Sequence, residues 1–374
     1  MRIGILTLPF NNNYGGYLQA YALMAVLKQM GHKPTMLMRR QNVAKVSFCW
    51  KLKLAIKGIL KTILTFRKCQ IAYDVEYSFR HRGVEMLKFV DSHIAPQTPY
   101  IYDTKSLREY CEGRYDAYIV GSDQVWRAIY VPDIRNYFLD FTTGWCVKRV
   151  AYAASFGTDT PEYTDEQICQ CGKLLESFDA VSVREYSGKG VFGRFGWSSQ
   201  NLQSVLDPTM LLTAADYSKV LPKAPCGSLH KIFYYVLDET ESIKNLLDEL
   251  SSSLRLELCG ISNIQRGNGV LASIEDWLTN IRDAEFIVTD SFHGMVFSII
   301  FHKPFVVCVN SNRGADRFSS LLAELNLSNR IIEPGSDLKK QVSDNINWLE
   351  VDNRLGELRD HSFNFLKQAL QDNE

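Results

Sequence analysis

The stretch EFIVTDSFHGMVFSIIFHKPFVVCV, residues 285–309, decides how the rest of the chain is read. Residues 285–289 form a short apolar run closed by a polar break, the pattern of a strand in a parallel sheet. Asp290, Ser291 and His293 crowd the turn that follows. Residues 295–301 are apolar over a helical length, and Pro304 ends them. Residues 305–309 read as a second buried strand. The whole is a βαβ unit, and such units bind ligands beyond the carboxyl ends of strands, at the amino ends of helices. Asp290, Ser291, His293 and Gly294 fall at that place. The free N–H groups of the helix end suit an anion. His293 can add a proton or a positive charge, and Gly294 permits close approach to the backbone. The same residues also read as a plain helix cap, with Asp290 or Ser291 capping and His293 exposed in the first turn.

Outward from this unit the same grammar repeats. Residues 231–237, 255–259 and 2–8 read as strands, and residues 241–252, 273–283 and 318–325 as helices. At 374 residues with 46% hydrophobic content, the chain is too long for one ordinary core. Two domains are expected, 1–215 and 216–374, joined near Pro222, Pro225 and Gly227, with the helix from about Trp348 packing back on the first. Lys and Arg total 42 and so do Asp and Glu, so no global field draws the chain to nucleic acid. The nine cysteines lack C-x-x-C spacing and mostly sit in apolar runs, which suggests buried thiols in a reducing cytosol. Met1-Arg2 leads straight into strand residues, which is read as no signal peptide, and no apolar run reaches spanning length.

Several loops at strand ends are candidate binding elements. PFNNNYGG, residues 9–16, offers Asn12, Asn13, Gly15 and Gly16 to phosphate oxygens or sugar hydroxyls. It matches neither dinucleotide nor Walker spacing. GSDQVW, residues 121–126, offers Asp123 as a base or hydroxyl acceptor and Trp126 as a stacking surface. Arg184, past the strand at 180–183, is placed to fork onto a carboxylate or phosphate, although an Arg184–Glu185 surface pair is the plainer reading. Arg313 and Arg317 follow the strand at 305–309 and can face the same cleft as His293. Residues 45–68 carry seven Lys or Arg, no acid and many interleaved apolar residues. Such a helix suits an anionic membrane surface, or simply covers the first domain.

Together IGILTLPFNNNYGGYLQAYAL, YDAYIVGSDQVW, VAYAASFG, VSVRE, LDPTMLL and TDSFHGMVFSIIFHKPFV resemble, in this order, the polysaccharide pyruvyl transferase family. The resemblance implies an α/β, GT-B-like fold, with two Rossmann-like domains of mostly parallel strands facing a central cleft. It implies transfer of a pyruvyl group from phosphoenolpyruvate to two hydroxyls of a sugar, forming a ketal on a lipid- or nucleotide-linked precursor of a surface polysaccharide. No metal or cofactor is required. The location implied is cytoplasmic, peripheral at the membrane's inner face through residues 45–68. Arg184, Ser291, His293, Gly294 and Arg317, with Arg313 second to Arg317, fall on the donor side. Asn13, Tyr14, Gly15, Gly16, Gln19, Ser122, Asp123 and Trp126 fall on the acceptor side. His293, Arg184 and Asp123 are the catalytic candidates, with Asp290 a second candidate base. A sugar-nucleotide glycosyltransferase on the same fold, or a non-catalytic sugar-binding protein, remains the alternative.

Overall fold

A computed structural model of the protein describes residues 1–41, 81–198, 202–223, 230–261, 269–309, 316–332, 341–342 and 344–371. The basic segment 45–68 and Arg313 lie outside the described residues. Two parallel sheets carry the architecture. The first contains β1 (Arg2–Leu6), β2 (Lys33–Met36), β3 (Ala117–Val120), β4 (Lys148–Ala154), β5 (Ala180–Val183) and β6 (Gln203–Ser204) in the order β2-β1-β3-β4-β5-β6. The second contains β7 (Lys231–Tyr235), β8 (Glu257–Gly260), β9 (Phe286–Thr289), β10 (Phe305–Cys308) and β11 (Ile331–Ile332) in the order β11-β10-β9-β7-β8. Every strand pair in both sheets is parallel.

The strand order fixes where ligands can go. From β1 the chain steps to β2 on one side and then to β3 on the other, so the loops after β1 and β3 part at the carboxyl edge of the sheet. The second sheet does the same between β7 and β9. An open α/β sheet has its crevice at such switch points. The loops of the two switch points line one cleft between the sheets.

Two helices lie between the sheets and explain the sequences that form them. α1 (Tyr14–Gln29) buries 11 of its 16 residues, and α2 (Phe292–Ile300) buries all nine. A helix walled in on all sides needs no polar face, which is why both read as nearly continuous apolar runs. Asn13 caps α1 by accepting from Gly15 N, and Ser291 caps α2 by accepting from Gly294 N. The second helix starts three residues earlier than the sequence suggested, so His293 and Gly294 lie inside its first turn rather than before it. α3 (Trp348–Leu370) closes the structure. Its Ser362 Oγ accepts from Leu206 N at 3.0 Å, Arg359 Nε donates to Met210 O, and Phe365 packs 6.1 Å from the Tyr152 ring. One hydrophobic core runs from Ile3 and Leu23 through Trp277 and Phe297 to Leu366. The six cysteines among the described residues are unbridged. Cys111 and Cys171 are buried, whereas Cys146 and Cys169 are exposed.

Candidate active site

The amino ends of α1 and α2 meet at the floor of the cleft. Gly15 lies so close to the His293 imidazole that a Cβ at residue 15 would overlap Nδ1. His293 is accordingly buried, at 6% exposure, and not the exposed first-turn residue of the plainer reading. Its Nε2 makes no hydrogen bond and faces Asp207 Oδ2 at 3.6 Å, an ion-pair distance when the ring is protonated. Gly294 packs against Thr289, which it could not do with a Cβ, so its glycine is required by the helix–strand contact.

Arg184 follows β5 and is buried with its neighbour Glu185, so the pair is not a surface pair. Nη1 donates to Asp207 Oδ2 at 3.0 Å and to Asp123 Oδ1 at 3.3 Å, and Nε lies 3.5 Å from Glu185 Oε2. Burial works against the charge of Arg184, but Asp123, Asp207 and Glu185 outweigh it and hold the guanidinium more firmly protonated than usual. Burial likewise opposes ionisation of Asp207, yet His293 and Arg184 outweigh it and hold that carboxyl well below the usual carboxylate range. Asp207 Oδ1 is saturated by Thr209 N at 3.0 Å and Thr209 Oγ1 at 2.7 Å. A single oxygen, Oδ2, therefore serves both Arg184 and His293. Arg184 Nη2 is buried without a hydrogen-bond partner.

Phe292 divides the site. The Arg184 guanidinium lies 4.7 Å from its ring centre and that of Arg317 lies 5.8 Å from it. On one side is an open cleft of about 620 Å³ reached by Asn11, Asn12, Asn13, Asp123, His293 and Arg317. That volume suits a small-molecule ligand. On the other side is a chamber of about 40 Å³ lined by Arg184, Glu185, Asp207, Glu324 and His361, with Arg317 at its wall. Burial and the nearby Arg184 push the Arg317 guanidinium down to about 10, so it stays charged at neutral pH. The site carries both signs of charge. Arg184 and Arg317 stand against Asp123, Asp207 and Glu185, and Arg184 is already paired with all three carboxylates. Among the described residues no group of three His, Cys, Asp or Glu is arranged to hold a metal ion.

A family model described as polysaccharide pyruvyl transferase matches residues 13–312. The chain belongs to that family. It is a transferase, and the family's reaction is the pyruvylation of polysaccharide. No curated protein matched significantly. Solved structures similar to this family member show its fold. A glycosyltransferase from Rickettsia africae aligns at TM-score 0.50 and 10% identity, covering 100% of this chain and 99% of that one. A putative UDP-N-acetylglucosamine 2-epimerase from Listeria monocytogenes aligns at TM-score 0.50 and 9% identity, over 96% and 91%. The fold is that of GT-B glycosyltransferases.

Within this pyruvyl transferase, His293, Ser291, Asp123, Asn13 and Arg317 all reach the cleft. Arg184 joins them through Asp123, Asp207 and Phe292. Asp290 accepts from Leu237 N at 2.7 Å and Asp238 N at 3.1 Å, which ties the loop after β7. Four acceptor-side expectations fail on burial. Trp126 is fully buried, stacked on Phe138 at 5.1 Å, and donates to Tyr137 O. Gln19 is buried and bonded to Thr7 Oγ1, Gly16 O and Ser122 N. Ser122 is buried, donating to Ala153 O. Tyr14 is buried against the second sheet's helices, donating to Ala272 O at 3.0 Å and stacking on Trp277. The sequence reading missed Asp207 and Glu185 as site residues, along with Arg127, Tyr130 and Asp238 on the cleft wall. Asp207 sits in an Asp-Pro-Thr turn, a signal that is indistinguishable from a loop bend until its distant neighbours are known.

Proposed function

We propose that this enzyme takes the pyruvyl group from phosphoenolpyruvate and closes it as a ketal over two hydroxyls of a sugar in a surface-polysaccharide precursor, releasing phosphate. The family match supports the class. The observation that carries the finer reading is the join at the cleft floor, where His293, unbonded at Nε2, sits in the first turn of α2 between Arg317 and Asp207. Converging helix amino ends add partial positive charge there.

The donor's anionic groups lie against Arg317 and the amino end of α2. Arg184, with its unpartnered Nη2 behind Phe292, is the second guanidinium, and it acts on the cleft when the Phe292 ring turns aside. His293 delivers a proton to the donor's methylene carbon, and C2 becomes electrophilic. One sugar hydroxyl bonds to C2 and passes its proton to Asp123. The C2–O bond to phosphate then breaks, and the second hydroxyl bonds to C2. Its proton leaves with phosphate, and the proton on Asp123 restores His293. The first half of the chain, 1–215, holds the acceptor, and residues 216–374 hold the donor. The enzyme works in the cytoplasm on a lipid- or nucleotide-linked acceptor, with segment 45–68 as its membrane contact.

The test is phosphate release from phosphoenolpyruvate with candidate acceptors. His293→Ala is expected to lower the sugar-dependent rate by about 10²–10⁴-fold, and a normal rate in that variant refutes the role. A thermal-shift response to UDP- or GDP-sugars with none to phosphoenolpyruvate would instead favour a glycosyltransferase.

A further inference from the structure

The wall of the cleft opposite Leu237 carries an aromatic ring that the steps above do not use. Trp126, locked in the core, anchors a short turn over Ala128–Tyr130 that projects over the cleft. Tyr130 is 48% exposed and Ile129 60%, among the most exposed large apolar side chains described. Tyr130 is nonetheless held. The Arg127 guanidinium lies 4.6 Å from its ring centre, and Arg127 Nη1 is 3.1 Å from its hydroxyl. Arg127 is fixed in turn by Glu162 Oε1 at 2.9 Å. With a guanidinium against its ring, Tyr130 still leaves about half its surface exposed and lines the cleft. Around it the lining carries amides and carboxylates, Asn11, Asn12, Asn13, Gln124 and Asp238, beside the guanidiniums of Arg127 and Arg317. Such groups read hydroxyls. Across the cleft stands Leu237, 45% exposed, its N–H tied to Asp290.

A clamped aromatic ring, set beside amide and carboxylate groups on the same cavity as His293, is the constellation that receives a pyranose ring. Its C–H face packs on the aromatic ring while its hydroxyls meet the amides. We infer that Tyr130, clamped by Arg127 and Glu162, is the platform on which the acceptor's sugar ring stacks. The inference deepens the proposed function and rests on its sugar acceptor. It moves the stacking role from Trp126 to the turn that Trp126 anchors.

The experiment is saturation-transfer NMR on the full chain with a panel of methyl hexosides and methyl N-acetylhexosaminides. Calorimetry with phosphoenolpyruvate is run alongside. At least one glycoside is expected to bind the wild type with transfer from aromatic protons. Tyr130→Ala should weaken that binding about tenfold, while Tyr130→Phe stays within about twofold. Phosphoenolpyruvate affinity should be unchanged in both, which also reports an intact fold. Equal glycoside affinity in Tyr130→Ala, equal loss of both ligands, or no glycoside bound by the wild type overturns the platform. Glycosides bound through Tyr130 with no binding of phosphoenolpyruvate would leave the platform standing and remove the donor reading.

Discussion

Asp207 Oδ2 faces two basic side chains from different halves of the chain, Arg184 at 3.0 Å and His293 at 3.6 Å. A carboxyl depressed on folding contributes stability that is complete above its unfolded value, about 3.9, and that is lost as pH falls below it. Asp207 is such a group. Asp207→Asn is therefore expected to lower the Tm at neutral pH and to flatten the fall in Tm between about pH 5 and pH 2. Parallel acid limbs for the two proteins would rule out this account. Nothing in LDPTMLL announces this role. The partners of Asp207 lie on other loops, and the chain brings them together only once both sheets have formed. Arg184 shows the converse. Its place past a strand and its pairing with Glu185 were legible, but its burial and the carboxylates of Asp123 and Asp207 were not, since those two come from distant turns.

At the scale of the element, the close packing of α1 on α2 sets the position of His293. The apolar run, the Ser291 cap and the stop at Pro304 are local signals, and they placed α2 within a few residues. How deeply the imidazole lies is not local, because Gly15 from the far end of the chain covers it. Gly15→Ala must displace either the ring or the start of α1. A shift of about 1 Å in a reacting group costs on the order of 10²-fold in rate. Gly15→Ala is thus expected to lower kcat by about that factor, and Gly16→Ala, whose Cβ meets open space, by much less. Comparable kcat values in a phosphate-release assay would dissociate Gly15 from the chemistry. Burial of Trp126 was equally hidden, since a polar loop sequence gives no measure of the aromatic core beneath it.

Over the whole molecule, the alternation of strand and helix made two parallel sheets legible, because each strand–helix period is a local pattern. The return of the C-terminal helix to the first half was expected as well, but the fusion of the two cores through α1 was not. Tyr14 of α1 stacks on Trp277 at 5.2 Å, and α3 returns to the first sheet through Arg359, Ser362 and Phe365. One shared core makes the halves unfold together. Calorimetry is expected to show a single transition with equal calorimetric and van't Hoff enthalpies, and two resolved transitions would contradict it.

The bond from Leu206 N–H to Ser362 has a consequence in time as well as in space. It braces the residue next to Asp207 with a helix that the ribosome makes after both sheets. A growing polypeptide can thus display every group of the cleft while its central carboxylate still lacks support from behind.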